Sequence, residues 1–245
     1  MIPGLFVSGT GTGVGKTCVS RGLARALRRH AVAVAAIKPF ETDVNPVARD
    51  ALALARACDR PHLAVAAGLY RVPPPLAPYA ATLEGHPPPP PLDTLARCIR
   101  GLGEGAFPIV EGAGGLLVPV SATTDVADLA AVLRFPLLLV SRDGLGVLSH
   151  TLTAFEAARA RALPLCAIVL TSFGLRDTSA ATNRRILQER VPGIPVLAFP
   201  EVPGIDALDG AAGDSALADA ADAAGLTALV RSQLPASPAH ASRRR

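Results

Sequence analysis

The chain has 245 residues, half of them apolar and 18% charged, with a formal net charge of +4. Arg243, Arg244 and Arg245 supply three of those charges at the C-terminus, leaving +4 − 3 = +1 for the body, which argues against a basic nucleic-acid-binding face, and no RNA-binding aromatic motif is present. No run approaches the ~20 apolar residues that span a bilayer, so neither a nucleic-acid nor a membrane partner is expected.

Residues 1–8 run straight into a glycine-rich loop without the charged segment and cleavage site of a secretory leader, and a cytoplasmic location is expected. The first apolar run, Leu5–Ser8, leads into Gly9-Thr10-Gly11-Thr12-Gly13-Val14-Gly15-Lys16-Thr17 and then into helical spacing over Lys16–Arg29. Strand, glycine turn and helix in that order form the context of a phosphate-binding loop. Glycines let backbone N–H groups turn toward an anion, and the helix N-terminus adds partial positive charge. The pattern gives Lys16 to the β- and γ-phosphates and the Thr17 hydroxyl to Mg²⁺, with Gly13, Val14, Gly15 and Cys18 completing the nucleotide-contacting run. It asks for Gly at position 10, where Thr10 stands. Thr12 is expected to meet phosphate or substrate.

The second run, Val32–Ile37, is closed by Lys38 and Pro39. Only two lysines occur in the chain, Lys16 and Lys38, against 22 arginines. Such scarcity marks positions where a compact ammonium does not exchange with a planar guanidinium. A lysine at the C-terminal end of a buried strand lies at the ligand edge of an open α/β sheet. There it adds a second cation where charge builds up in phosphoryl transfer, a plain solvated lysine being the alternative. Thr42, four residues on, offers a donor to an anion. Asp50 opens the helical segment Val47–Cys58 and reads either as a helix cap or as a metal ligand.

A long insertion follows, with Pro73–Pro78 and Pro87–Pro91. Five consecutive prolines predict a stiff extended connector. After a helix over Leu92–Leu102 comes a strand over Phe107–Val110, with Glu111 at its end and Gly112-Ala113-Gly114-Gly115 beyond. A carboxylate in that place is set to hold Mg²⁺. Thr17, Asp50 and Glu111 together leave room for phosphate oxygens and water, as Mg²⁺ prefers. The glycines would let substrate approach the backbone. Helices over Val126–Leu133, Val147–Arg161 and Ser179–Arg190 alternate with strands over Pro136–Val140, Ala167–Thr171 and Pro195–Phe199. Asp206–Ala224 is read as a loop passing into a final helix. The fold class expected is α/β, a doubly wound, mostly parallel sheet flanked by helices. One domain is assigned to residues 1–234 and a flexible basic tail to 235–245. Cys18, Cys58, Cys98 and Cys166 lack any C-x-x-C spacing, so buried thiols are expected rather than a metal site or disulfides.

Taken together, these segments resemble the dethiobiotin synthetase family of P-loop NTPases, the ATP-dependent enzymes of biotin biosynthesis. The resemblance rests on Gly9–Thr17, Ile37–Thr42, Asp50–Leu54, Pro75–Pro78, Glu84-Gly85, Val110–Gly115 and Gly144-Leu145-Gly146, in family order. It implies a reaction of 7,8-diaminononanoate, CO₂ and MgATP, in which a carbamate is phosphorylated and then closed to a cyclic urea. It implies Thr12, Lys16 and Lys38 at the γ-phosphate and substrate end, Thr42 at the carbamate, and Thr17, Asp50 and Glu111 at Mg²⁺. It implies Ala113, Gly114 and Gly115 along the substrate, and Pro200, Glu201 and Val202 with Thr171 at the base. It also implies a homodimer in which the helix start at Gly146, Val147 and Ser149 takes the substrate carboxylate bound to the other subunit. The chain departs from the family pattern at Gly11 (usually Asp), Asp43 (usually Gly), Thr171 (often the Asn that reads the purine) and Ser149 (frequently Asn). Partition and cell-positioning ATPases share the fold class but carry a signature lysine at the place of Gly11. A cobyrinic acid amidating enzyme would need a glutaminase domain for which this chain is too short.

Overall fold

In the computed structural model of this chain, residues 3–172, 177–205 and 210–234 are described. The expected tail, residues 235–245, and the first four residues of the expected loop, 206–209, lie outside them. Leu5–Gly9 (β1), Val34–Ile37 (β2), Phe107–Gly115 (β5), Leu137–Arg142 (β6), Leu165–Thr171 (β7) and Val196–Phe199 (β8) form one sheet in the order β2-β5-β1-β6-β7-β8. Every pairing in it is parallel. β1, β2 and the first half of β5 are buried throughout. Strands covered on both faces need apolar residues at consecutive positions, which is why the sequence shows runs rather than alternation.

The helices that cover the sheet are Lys16–Arg29 (α1), Arg49–Ala57 (α2), Leu92–Leu102 (α4), Val126–Leu133 (α5), Val147–Ala160 (α6), Ala180–Arg190 (α7), Ala211–Ala223 (α8) and Leu226–Gln233 (α9). α1 buries Val19, Leu23, Ala24, Ala26 and Leu27 and ends on Arg28 and Arg29, cations that complement its C-terminal partial charge. α8 packs on α1 so closely that a Cβ on Gly22 would lie 2.4 Å from the Leu217 carbonyl oxygen. α8 also supplies Asp214, a buried carboxylate that pairs with Arg21 of α1 at 2.7 Å and with Arg56 of α2 at 3.4 Å.

The insertion is more than a connector. It contains a 3₁₀ turn at Pro61–Val65, a short strand Tyr70–Arg71 (β4) and a helix Pro78–Leu83 (α3). β4 pairs in parallel with Phe40–Glu41 (β3), and Tyr70 meets Phe40 edge to face with ring centroids 6.5 Å apart. The proline run at 87–91 is extended, as its composition predicts.

β5 also differs from expectation, for it runs through Glu111 to Gly115 instead of stopping at Val110. Val7 pairs with Glu111 and Gly9 with Gly115, so β5 advances four residues while β1 advances two. The intervening glycines absorb this bulge, and Gly114 takes φ 58. Among the described residues no helix is long and apolar enough to cross a membrane.

Candidate active site

β1 lies between β5 and β6, where the strand order reverses, and the cleft opens at the C-terminal ends of these strands. That is where ligands enter open α/β sheets. The cleft has a volume of about 730 Å³ and is lined by Thr12, Gly13, Gly15, Lys16, Thr17 and Cys18 of the loop and by Lys38, Thr42 and Asp50. Ala113 and Gly114 border it from β5. Gly13 (φ 72) and Gly15 (φ 85) hold the left-handed backbone that turns the loop into α1. Thr10 is half-buried, and its hydroxyl shares a 3.0 Å hydrogen bond with that of Ser141. This tie to β6 is what the loop gains from the residue that replaces glycine.

Lys16 is buried and donates from Nζ to the Gly11 carbonyl at 2.8 Å. Burial, and next the nearby Lys38 ammonium, lower its pKa to about 8. The two lysines therefore share one cleft and feel each other's charge. Lys38 is not the solvated lysine of the plain reading. It is 5% exposed and bridges two carboxylates, 2.6 Å from Glu111 Oε1 and 2.8 Å from Asp50 Oδ2. Burial opposes its charge, but Glu111 and Asp50 outweigh burial and raise its pKa. Asp50 likewise is held below the usual carboxylate range, with Lys38 overcoming the cost of burial.

Asp50 is not the cap of α2. Glu41 fills that role: its Oε1 accepts from the Asp50 N–H at 2.7 Å and its Oε2 from the Ala51 N–H at 3.0 Å. Burial raises the Glu41 pKa, and the two backbone N–H groups work against that rise. Glu41 thus fixes the turn that carries Asp50. Its place in Ile37–Thr42 marked it as part of a motif, yet periodicity gave no sign that it would reach across to a helix ten residues on.

The Thr17 hydroxyl donates to Glu111 Oε1 at 2.8 Å. Glu111 is fully buried, and its Oε2 has no hydrogen-bond partner among the described residues. A buried carboxylate oxygen without a donor fits a cation. One hydroxyl and two carboxylates, all oxygen donors, suit a hard divalent ion that keeps phosphate and water ligands. Among the described residues no three His, Cys, Asp or Glu side chains are grouped so that they could hold a metal ion by themselves, so a cage made of protein alone is absent there.

Thr12 and Gly114 meet across the cleft: a Cβ on Gly114 would lie 3.5 Å from Thr12 Oγ1. Gly115 packs against the Gly9 and Thr10 carbonyls and does not line the cleft. The insertion contributes Pro75, Leu76, Ala77 and Pro78 as a wall, a role the connector reading missed. Phe40, Asp43, Arg49, Val118 and Arg142 also line it.

A second, small cavity is lined by Cys18, Thr171, Pro200 and Val202 together with Ser172, Phe199, Ile205 and Leu217. Thr171 is buried and donates its hydroxyl to the Val14 carbonyl at 2.8 Å, so its side chain braces the phosphate loop. Glu201 is exposed and does not line this cavity. Gly146, Val147 and Ser149 lie outside both cavities. The Val147 N–H is spent on the Gly144 carbonyl at 3.1 Å, so among the expected helix-start donors that one is already engaged. Cys58 and Cys166 are buried as expected, whereas Cys18 and Cys98 are half-buried; all four are free thiols.

A family model described as an AAA domain matches residues 3–212. The chain is 35% identical over 204 residues to the ATP-dependent dethiobiotin synthetase of Aquifex aeolicus, covering 82% of this chain and 90% of that one. It is 43% identical over 180 residues to that of Anaeromyxobacter dehalogenans, covering 71% and 78%. Among solved structures, a ParA family ATPase from Chlorobium tepidum aligns with a TM-score of 0.55 at 15% identity, over 94% of this chain and 98% of that one. The cell division ATPase MinD of Pyrococcus furiosus aligns with a TM-score of 0.51 at 18% identity, over 91% and 99%. These two likenesses concern the fold.

Proposed function

The chain belongs to the ATP-dependent dethiobiotin synthetase family, and on that premise we propose how its cleft serves the reaction. The protein is an ATP-dependent cyclo-ligase of biotin biosynthesis. The substrates in this reading are 7,8-diaminononanoate, CO₂ and ATP. One amine captures CO₂ as a carbamate. A carbamate oxygen attacks the γ-phosphorus, the bond to ADP breaks, and a carbamic–phosphoric anhydride forms. The second amine attacks the carbamoyl carbon, phosphate leaves with the bonding pair, and the cyclic urea closes.

Both reactants of the phosphoryl step are anions, so the step needs cations between them. Lys16 serves the β- and γ-phosphates from inside the loop, and Lys38 serves the γ-phosphate and carbamate. Thr17, Asp50 and Glu111 would hold Mg²⁺, whose chemistry is charge neutralisation along the triphosphate. Thr12, Thr42, Ala113 and Gly114 hold the carbamate end of the substrate, with Gly115 backing the loop. Cys18, Thr171, Pro200 and Val202 flank the base, with Glu201 at its rim. Because Thr171 spends its hydroxyl on Val14, base selectivity is looser than an Asn at that position would give. The protein works in the cytoplasm as a homodimer, in which the start of α6 at Gly146 and Ser149 takes the carboxylate of substrate bound to the other subunit.

The observation that carries this reading is the buried Lys38 bridging Asp50 and Glu111 in the same cleft as the loop lysine. Incubation with diaminononanoate, bicarbonate and MgATP, followed by mass analysis, tests it. A cyclic urea product with stoichiometric ADP is expected, and its absence sinks the reading.

A further inference from the structure

We propose that Asp43 reads the free ammonium group of the diamine, an inference that rests on the substrate assignment above and deepens it. The cleft is lined by four cationic side chains, Lys16, Lys38, Arg49 and Arg142, and by three acids, Glu41, Asp43 and Asp50. Glu41 is committed to two backbone N–H groups, and Asp50 to Lys38. Asp43 is exposed, and among the described residues its carboxylate has no hydrogen-bond or ion-pair partner.

Its backbone is held in the left-handed region, φ 64. Two hydrogen bonds pin the segment there, from the Asp43 N–H to the Pro74 carbonyl and from the Val44 N–H to the Val72 carbonyl, each 3.1 Å. A side chain in that conformation costs about 1 kcal/mol that glycine avoids. An uncompensated carboxylate on the wall of a triphosphate site also repels the nucleotide. Both costs are offset when the ligand brings a cation to that wall. The substrate does so: while one of its vicinal nitrogens becomes an anionic carbamate, the other binds as an ammonium and gives a proton to solvent at this exposed wall before it attacks in ring closure. Thr42, the neighbouring residue on the same wall, is the donor assigned to the carbamate. Adjacent side chains of opposite preference thereby match adjacent substrate groups of opposite charge, and fix which nitrogen faces the γ-phosphate.

Asn tolerates the left-handed backbone about as well as Asp, so Asp43→Asn removes charge and keeps the turn, while Asp43→Gly removes charge and relaxes it. In both variants the KM for diaminononanoate should rise about tenfold, the equivalent of about 1.4 kcal/mol, with the KM for ATP within twofold of the parent. Calorimetry should show the parent chain preferring the diamine over 7-aminononanoate and over 8-aminononanoate, and Asp43→Asn losing that preference. An unchanged diamine KM in either variant, or an effect that falls on ATP or Mg²⁺ instead, overturns the proposal. Failure of the parent chain to form the cyclic urea overturns the substrate assignment, and the calorimetric comparison still decides the role of Asp43.

Discussion

Lys16 illustrates how a buried cation behaves before its anion arrives. With a pKa lowered to about 8, it gives up its proton in the free protein as pH rises through that value. Contact with phosphate oxygens favours the ammonium, so ATP binding at pH 8.5 should take up a proton, and ATP affinity should fall between pH 7 and 9. Calorimetry in two buffers of different ionisation enthalpy reads the uptake directly; identical apparent enthalpies would refute it. The sign for stability is opposite. A lysine whose folded pKa lies below its unfolded value of 10.5 is a cost below about pH 8, and that cost fades as pH climbs to 10.5. Lys16→Arg should lose turnover because a planar guanidinium does not fit where Nζ sits 2.8 Å from the Gly11 carbonyl. Lys38→Ala should abolish turnover while ADP still binds, as measured by equilibrium dialysis. Both lysines were legible in the sequence because each stood alone in an arginine-rich chain. The acids they meet were legible as candidates, but not the bridge, since Glu111 and Lys38 are 73 residues apart and only the parallel pairing of β2 with β5 brings them together.

Whole elements carry the next level of control. α2 begins on a carboxylate borrowed from β3, so Glu41→Ala leaves two backbone donors of its first turn without a partner. Loss of such a cap costs roughly 1 kcal/mol. Thermal unfolding should show that loss, and activity titrated with Mg²⁺ should show a raised requirement, because Asp50 loses its mount. An unaltered Mg²⁺ dependence would separate the cap from the metal site. At the α1–α8 contact, Gly22→Ala forces a methyl group to within 2.4 Å of a backbone oxygen. Overpacking of that kind costs about 1–3 kcal/mol, and urea unfolding measures it. Strand and helix identities were readable from consecutive apolar runs and helical spacing. The insertion was not: prolines set its local stiffness, whereas β4 and α3 depend on Phe40 and Tyr70 packing across the chain, which no local pattern reveals. β5 was read short because glycines look like a turn, and here they extend a strand through a bulge.

For the whole molecule, the expected homodimer makes the exposed turn ahead of α6 decisive. Leu145 is 90% exposed there, so Leu145→Glu should weaken association and raise the KM for diaminononanoate, with sedimentation velocity reading the first effect. A variant that remains as dimeric as its parent would remove this turn from the interface. The clamp at Asp214 has a consequence of another kind. The loop, Lys38, Asp50 and Glu111 all come from the first 115 residues, yet α1 and α2 are held together by a carboxylate close to the end of the chain. During synthesis on the ribosome, the phosphate and metal end of the site is complete in composition long before it is braced. Nascent chains arrested before α8 should therefore fail to retain nucleotide, and capture of ATP should begin only once α8 has emerged.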